Sequence, residues 1–407
     1  MAIFTDQIIP MNSFTLVLFF TTISLSSLAQ QNPPKGYFTS EAVGVAAGDH
    51  IIVSIKKYNP SADEINDAVN PPKNAPMSYL QIPVIATNLS LFNKGFESKL
   101  YCLDRSGNIV WEKTLGYSKN SDPSPVTEEK GFIYSGEGSQ EKGKIVIRKF
   151  DKAGKEIWKN TLDSLENVNA IAMHDNKVNI LASFDHSQKI ENKKGEFSFK
   201  TYPIYSFIQL NPESGAIIKK EYQMMGNYLS SIGFGHPIIN SDQSYYLNNN
   251  DSAIFLSVAN QKGATVVSEE MSRDNKILAL TASPASNHYI TELSKGQNKN
   301  VYTIITDFYG KAKKYQSELP IPFKPDQASR YFIHLTDGDT IFSVISNLDE
   351  TSISYTNPGG QSQLYKRSTN SAIFIIGSLL AGSKPVLIAL EGRNKPGIAG
   401  TIKLVYY

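Results

Sequence analysis

Six short turns of the form Asp/Asn-x-x-Gly recur along this chain, each flanked by runs of β-forming residues. They open at Asp104, Asp151, Asn211, Asn260, Asp307 and Asn357 and close at Gly107, Gly154, Gly215, Gly263, Gly310 and Gly360; the third copy carries one extra residue. Successive turns are 47, 60, 49, 47 and 50 residues apart. An internal period of this length is typical of propellers and solenoids.

The first two copies are the most regular, and both predict a hairpin. Asp opens a type I turn by accepting hydrogen bonds from the backbone ahead of it, and Gly accepts the positive φ that closes the turn. Trp111 and Trp158 each follow the turn glycine by four residues. Their position favours packing between neighbouring repeats, with stacking on a sugar as the alternative.

The segment 100–111, Leu-Tyr-Cys-Leu-Asp-Arg-Ser-Gly-Asn-Ile-Val-Trp, resembles the repeat of the PQQ-like β-propellers, which are of the quinoprotein type and WD40-like; segment 147–158 is similar. The resemblance implies a strand, a turn and a Trp that docks neighbouring blades. That superfamily includes quinoprotein dehydrogenases and non-catalytic scaffolds such as the outer-membrane assembly lipoprotein. Quinoprotein enzymes hold PQQ with a vicinal Cys pair and a calcium site, whereas Cys102 is the only cysteine here. PQQ is therefore not expected, and no other cofactor is predicted.

The repeat predicts an all-β fold: a single β-propeller of seven four-stranded blades, with six or eight as alternatives. The chain contains 21 Tyr and 20 Phe, residues that strands favour. Residues 30–41 are predicted to form a polar lead-in and residues 42–407 the propeller. Because an unpaired edge strand invites aggregation, Gly400–Tyr407 is expected to close the ring by pairing with a strand within Ala42–Tyr58.

The N-terminus predicts export. An apolar run from Phe14 to Leu25 is too short to span a bilayer comfortably, and Ser27-Leu28-Ala29 supplies small residues for cleavage after Ala29. Residues 1–29 therefore form a predicted signal peptide, with a buried strand or a membrane anchor as the alternatives. No Lys or Arg precedes the run, and either Met1 or Met11 fits as the initiator.

Charge and cysteine content exclude several classes of partner and bond. Removing residues 1–29 takes away one acid, Asp6, and changes the net charge from +2 to +3. This balance, without a basic run, argues against nucleic acid. One cysteine allows no intramolecular disulfide. A monomer that does not span the membrane is expected.

Two features are candidates for chemistry. His174, His236, His288 and His334 recur at roughly the repeat interval, so equivalent strand ends could gather them at one mouth of the ring as a metal site; scattered histidines are the favoured alternative, and no metal is predicted. A polar insertion from Asp185 to Tyr202 accounts for the 60-residue interval and predicts either a long solvated hairpin or a binding loop.

The leading functional hypothesis is an exported, non-catalytic propeller that presents a rigid surface to a protein or glycan partner. The alternative is a secreted carbohydrate-active hydrolase or lyase that uses the central funnel.

Overall fold

The computed structural model describes twenty stretches of the chain. They are residues 32–59, 95–118, 122–139, 141–174, 176–191, 197–223, 238–240, 243–249, 254–260, 265–271, 275–283, 288–295, 300–307, 312–315, 330–335, 340–346, 351–356, 362–368, 373–392 and 400–407. Every regular element within them is a β-strand. None of the described residues belongs to a helix of the length and hydrophobicity needed to cross a bilayer.

Antiparallel strands that follow one another in the chain form the sheets. Unit 1 comprises β1 (Lys35–Ala47), β2 (His50–Tyr58), β3 (Phe96–Leu103) and β4 (Ile109–Ser118). Unit 2 comprises β5 (Val126–Glu129), β6 (Phe132–Gly138), β7 (Lys144–Phe150) and β8 (Glu156–Asp163). Unit 3 comprises β9 (Asn167–His174), β10 (Lys177–Glu191), β11 (Phe197–Leu210) and β12 (Ile217–Gln223).

The later strands repeat this order. They are β13 (Ile238–Asn240), β14 (Gln243–Asn249), β15 (Ile254–Asn260), β16 (Thr265–Met271), β17 (Asn275–Ser283), β18 (His288–Lys295), β19 (Asn300–Asp307), β20 (Ala312–Tyr315), β21 (Arg330–Leu335), β22 (Ile341–Ser346), β23 (Thr351–Thr356), β24 (Ser362–Ser368), β25 (Ile373–Ala381), β26 (Lys384–Glu391) and β27 (Gly400–Tyr406). Five sheets have four strands each, and one seven-stranded sheet has the order β25-β26-β27-β1-β2-β3-β4.

The sheets are arranged in a ring. The first strand of each group contacts the first strand of the next, from β1 and β5 through β9, β13, β17 and β21 to β25, and β25 contacts β1 in turn. The protein is therefore an all-β propeller, as the sequence predicted. The seven blades remain a prediction: the seven-stranded sheet gives that number when its three strands β25–β27 are counted separately from unit 1.

The apolar core lies between neighbouring sheets. One cluster joins β1–β3 to β25–β27 through residues such as Val53, Tyr101 and Ile388. A second joins units 1 and 2, and a third joins units 2 and 3. Units 1 and 2, whose side chains the structure describes, thus have apolar clusters on both faces, and these clusters join them to the neighbouring sheets.

The C-terminal strand pairs with a different part of the N-terminal region than the sequence predicted. β27 pairs with β1 through Lys35–Thr401 and Gly36–Gly400, so the partner residues precede the predicted segment Ala42–Tyr58. β1 begins at Lys35, inside the segment assigned to a polar lead-in. These pairs form through backbone groups. The alternation of apolar residues, on which the sequence prediction depended, therefore does not identify Lys35 and Gly36 as the partners. That this contact closes the ring remains a prediction.

Candidate functional site

The strands of each sheet end at two opposite sides of the ring, and the repeated turns lie at one of these sides. In unit 1 the turn at Asp104 connects β3 to β4, and β2 ends at Tyr58 on the opposite side, where Lys57 pairs with Glu97. In unit 3, Glu191 pairs with Phe197 at the same opposite side. We call the first side the turn edge and the second the ribbon edge.

A buried ion pair joins units 1 and 2 near the ribbon edge. The ammonium of Lys56, near the end of β2, lies 2.8 Å from both carboxylate oxygens of Glu137 on β6 and donates to Ser98 Oγ at 2.5 Å. Ser124 Oγ, in the segment before β5, donates to Glu137 Oε2. Lys56 and Glu137 are only 1% and 4% exposed. Four polar side chains, from unit 1, from β6 and from the segment before β5, therefore satisfy one another away from water.

Burial and pairing act in opposite directions on this lysine. Desolvation lowers the pKa of Lys56, because removal from water disfavours the ammonium form. The carboxylates of Glu137 and, more weakly, Asp122 oppose the shift. Burial also lowers the pKa of nearby Arg148, which pairs with Glu156 at 3.3 Å.

A small pocket of about 30 Å³ lies beside the pair, where units 1, 2 and 3 meet. Its lining is mainly polar and consists of Lys56, Ser118, Asp122, Pro123, Ser124, Pro125, Gly136, Glu137, Gly138, Asn167, Val168 and Asn169. The Oδ1 atom of Asn169 is buried and has no hydrogen-bond partner among the described residues. A buried carbonyl without a donor is unfavourable, so this oxygen carries a desolvation cost in the folded protein.

A two-stranded ribbon projects from unit 3 at the ribbon edge. Among the described residues, β9 pairs with β10 as far as Ser183, and β12 pairs with β11 from Tyr205 onward. β10 and β11 nevertheless remain paired from Phe184–Ile204 to Glu191–Phe197. At about 3.3 Å per residue, this ribbon extends roughly 25 Å beyond its neighbours. The polar insertion predicted between Asp185 and Tyr202 therefore forms a long hairpin.

Apolar and charged groups are exposed together on the ribbon. Phe197 is 55% exposed, and the Lys189 ammonium lies 3.5 Å from the centroid of its ring. Such a cation–π contact holds an aromatic ring in place at an exposed position. Asp185, His186 and Ser187 are also exposed along the ribbon.

Glu166 connects the ribbon to the pocket. Its backbone N–H donates to the carbonyl of Ser183 at 2.8 Å, and its Oε2 accepts from the N–H of Asp185 at 3.4 Å. Burial, and then the charge of Glu166, raises the pKa of Asp185. Because Asn167 and Asn169 follow Glu166 in the chain, the base of the ribbon lies beside the pocket wall.

The sequence-predicted turns lie at equivalent positions, each between the third and fourth strand of a group. The first three are described completely: Gly107, Gly154 and Gly215 have φ values of 83°, 77° and 71°. Asp104 Oδ1 accepts from the N–H groups of Ser106 and Asn108. The residues that close the other turns, Gly263, Gly310 and Asn357–Gly360, lie outside the described residues, although the strands that flank them are described.

Both tryptophans contact the turn of the following unit. A Cβ atom added to Gly154 would lie 2.7 Å from the Trp111 indole, and one added to Gly215 would lie 2.8 Å from that of Trp158. Trp111 Nε1 donates to the carbonyl of Lys152, and Trp158 Nε1 to that of Pro212, each at 2.9 Å. Each indole is half-buried against its neighbour.

The candidate histidines lie away from the pocket. β9 ends at His174, β18 begins at His288 and β21 contains His334, all near the connection between the first two strands of a group, which is at the turn edge. His236 lies outside the described residues. Within the described stretches, no group of three or more His, Cys, Asp or Glu side chains could hold a metal ion.

Sequence reasoning missed Lys56, Glu137, Ser98 and Ser124. Lys56 and Glu137 are 81 residues apart and form no local motif. The sign available in the sequence was the position of Lys56, which follows a mostly apolar strand segment, Ile51–Ile55. Strand alternation places Lys56 on the same face as Ile52 and Ser54.

Comparison with known proteins gives no family. No family model and no curated protein matches the chain. Among solved structures, it is similar to the β-propeller domain of the Trilobed protease from Pyrococcus furiosus, with 10% identity, a TM-score of 0.48, and coverage of 92% of this chain and 96% of that one. It is also similar to the periplasmic gluconolactonase of Pseudomonas aeruginosa, with 13% identity, a TM-score of 0.44, and coverage of 76% and 94%. At these values neither match carries an argument about activity, and the likeness to PQQ-like repeats stays a resemblance.

Proposed function

We propose that the protein is an exported, non-catalytic β-propeller that binds a protein or glycan partner at the ribbon edge. The observation that carries this proposal is the ribbon, which extends beyond the described residues of both neighbouring strands and exposes Phe197. A rigid scaffold that positions a mobile or projecting segment is a common arrangement for recognition. Aromatic residues, Phe among them, are enriched in the cores of protein interfaces relative to the rest of the surface.

We propose a scaffold rather than an enzyme because the potentially reactive groups are buried and paired. Ser98 and Lys56 are within hydrogen-bond distance, as a nucleophile and a base would be, but both are 1% exposed. The Lys56 ammonium is also paired with the Glu137 carboxylate, which opposes the lowering of its pKa by burial. A lysine base must be neutral and within reach of its substrate. This cluster therefore suits a structural or binding role better than nucleophilic catalysis.

Export is part of the proposal and has its own test. The apolar run at residues 14–25 and the small residues before Gln30 support cleavage after Ala29. Mass spectrometry of the protein recovered from outside the cytoplasm of its host should give an N-terminus at Gln30. Recovery of uncleaved chain from the cytoplasm alone would contradict export.

The binding role is tested by shortening the ribbon. Replacing residues 187–201 with Asn-Gly joins His186 to Tyr202 through a two-residue hairpin and leaves the four-stranded part of unit 3 intact. Wild type, the shortened variant and Phe197→Ala are compared on a glycan array and with proteins of the host's exported fraction. Ile157→Ala, at a 45% exposed position on β8, is the control.

We expect the wild type and Ile157→Ala to retain the same partner and the two ribbon variants to lose it. Equal retention by all four proteins would contradict a binding role for the ribbon. Turnover of a bound glycan, together with stoichiometric Mn, Ca or Zn in the purified protein, would instead favour the hydrolase or lyase.

A further inference from the structure

The pairing of β10 with β11 determines which way the backbone groups of the ribbon point. The two strands pair without a register shift, so successive residues direct their N–H and C=O groups alternately toward the other strand and away from it. The carbonyl of Ser183 accepts from Glu166 N, and the N–H of Asp185 donates to Glu166 Oε2, so Ser183 and Asp185 point away from β11. By the same alternation, Lys189 and Glu191 also point away from β11. We call the direction away from the other strand the outer side of each strand.

A proline on β11 supports this assignment. Pro203 pairs with Asp185 and has no N–H, so it fits a position that donates nothing to the opposite strand. Position 203 therefore also points outward, and the outer side of β11 lacks a donor there. Proline at such a position hinders the addition of a further strand. The outer side of β11 is thus interrupted near the base of the ribbon.

The outer side of β10 is occupied at the base of the ribbon and open further along it. Glu166 pairs with the outward groups of Ser183 and Asp185. At Lys189 and Glu191, no described strand pairs with β10 on this side. Each of these two residues contributes one N–H and one C=O, so the outer side presents donors and acceptors in the arrangement of an edge strand.

An extended polypeptide segment matches this arrangement. Two outward residues of a strand lie roughly 7 Å apart, and an added strand presents its own donors and acceptors at the same interval. Strand addition of this kind takes its affinity from backbone hydrogen bonds and its specificity from alternate side chains. The Lys189 ammonium lies 3.5 Å from the centroid of the Phe197 ring, so side chains of an added strand on that face would lie beside this pair.

We propose that the outer side of β10 at Lys189 and Glu191 is a strand-addition site, where an extended segment of a partner protein pairs with the ribbon through its backbone. The proposal rests on the binding function proposed above and narrows the partner at this position to a protein.

The test uses the full-length mature protein and short random peptides displayed on phage as the probe. Peptides are selected on the wild type and depleted on the shortened-ribbon variant, and a selected peptide is then measured by fluorescence polarisation. Lys189→Pro removes the outward N–H, whereas Lys189→Ala removes the same side chain and keeps the N–H. Thr201→Pro is the matched control, because Thr201 pairs with Ser187 and points to the outer side of β11.

We expect Lys189→Ala and Thr201→Pro to bind the peptide much as the wild type does. Lys189→Pro should bind it at least about tenfold more weakly, because the ring removes a donor and obstructs the approach of a strand. In the wild type, the peptide should slow hydrogen exchange of the Lys189 and Glu191 amides. The amides of Gln188 and Ile190, which point toward β11, should stay protected in every variant.

Three results would overturn strand addition: equal binding by Lys189→Pro and Lys189→Ala, unchanged exchange of the Lys189 and Glu191 amides in the peptide complex, or failure to select any peptide that requires the ribbon. A dimer of the wild type that Lys189→Pro dissociates would assign this side to a second copy of the chain and overturn the partner proposed here. Loss of a glycan by the shortened variant, with no peptide selected, would show that the binding function survives that failure.

Discussion

At the residue scale, the burial of the Lys56–Glu137 pair leads to a prediction about the stability of the protein. Removing one member leaves the other charge buried without a partner, which typically costs about 3–5 kcal/mol, whereas replacing both with apolar residues is close to neutral. We therefore expect Lys56→Met to lower the free energy of unfolding by about 3 kcal/mol or more, and Lys56→Met with Glu137→Leu to recover most of that loss. Urea unfolding measures both.

An exposed ion pair supplies the control for this comparison. Lys144 and Glu141 lie in contact on the surface, with exposed fractions of 38% and 70%, so Lys144→Met should have little effect. A double variant as unstable as Lys56→Met alone would show that the loss comes from packing rather than from an unpaired charge.

Individual residues differ in how far the sequence could predict them. The turn residues were predictable because their chemistry is local: Asp104 accepts from residues two and four positions ahead. Buried lysines were not, because their partners are distant in the chain. Lys149 donates to the carbonyl of Pro212, 63 residues away, and its ammonium lies 4.0 Å from the centroid of the Phe132 ring. No local pattern contains that information.

At the scale of elements, the contact between a tryptophan and the next turn predicts a coupling. Gly154 has a φ of 77°, and an added Cβ would also meet the Trp111 indole at 2.7 Å. Gly143 has a φ of 76°, and an added Cβ would meet nothing within 4 Å. Gly143→Ala therefore reports backbone strain alone, on the order of 1 kcal/mol.

We expect Gly154→Ala to destabilise more than Gly143→Ala, and Trp111→Ala to cost about 3 kcal/mol through the lost indole contacts. In the variant that combines Gly154→Ala with Trp111→Ala, the added methyl group no longer meets the indole. The double variant should therefore lose less stability than the sum of the losses in the two single variants. Chemical denaturation of the wild type, the two single variants and the double variant gives the coupling free energy. Additive losses would contradict a direct contact between the units.

The sequence predicted the hairpin in the polar insertion, but it did not predict that the hairpin projects from its sheet. The 60-residue interval and the polar composition of residues 185–202 indicated a long excursion. The paired strands β10 and β11 extend beyond the described residues of β9 and β12. This projection depends on the relative lengths of the four strands, which the sequence pattern does not give. The start of β1 at Lys35 escaped prediction for a related reason, since polar residues can pair through their backbone alone.

At the scale of the whole molecule, the C-terminal strand predicts how the ring holds together. β27 pairs with β26 from Val386–Tyr406 to Glu391–Thr401, and its first two residues pair with β1. Ile402 is fully buried in the cluster between the two ends of the chain. Deleting residues 400–407 removes this strand and exposes the edge that it covers.

We expect the truncated protein to melt well below the full-length form or to become insoluble. Val110→Ala, at a 50% exposed position on β4, should leave the melting temperature unchanged. A truncated protein that melts at the full-length temperature would show that the ring does not close through β27.

The regular spacing of the turns made the propeller predictable at this scale, because each repeat builds one group of strands. The binding surface that we propose was not predictable from the repeat, because it lies on a departure from the repeat in unit 3.

The central claim is that the ribbon edge is the surface where a partner binds, and site-specific photo-crosslinking in the native host tests it most directly. A photoreactive benzoylphenylalanine replaces Phe197 in one variant and Ile157 in the other, both exposed positions on strands of neighbouring units. The claim predicts a discrete adduct from position 197 and none from position 157. An adduct from position 157 with none from position 197 would contradict it.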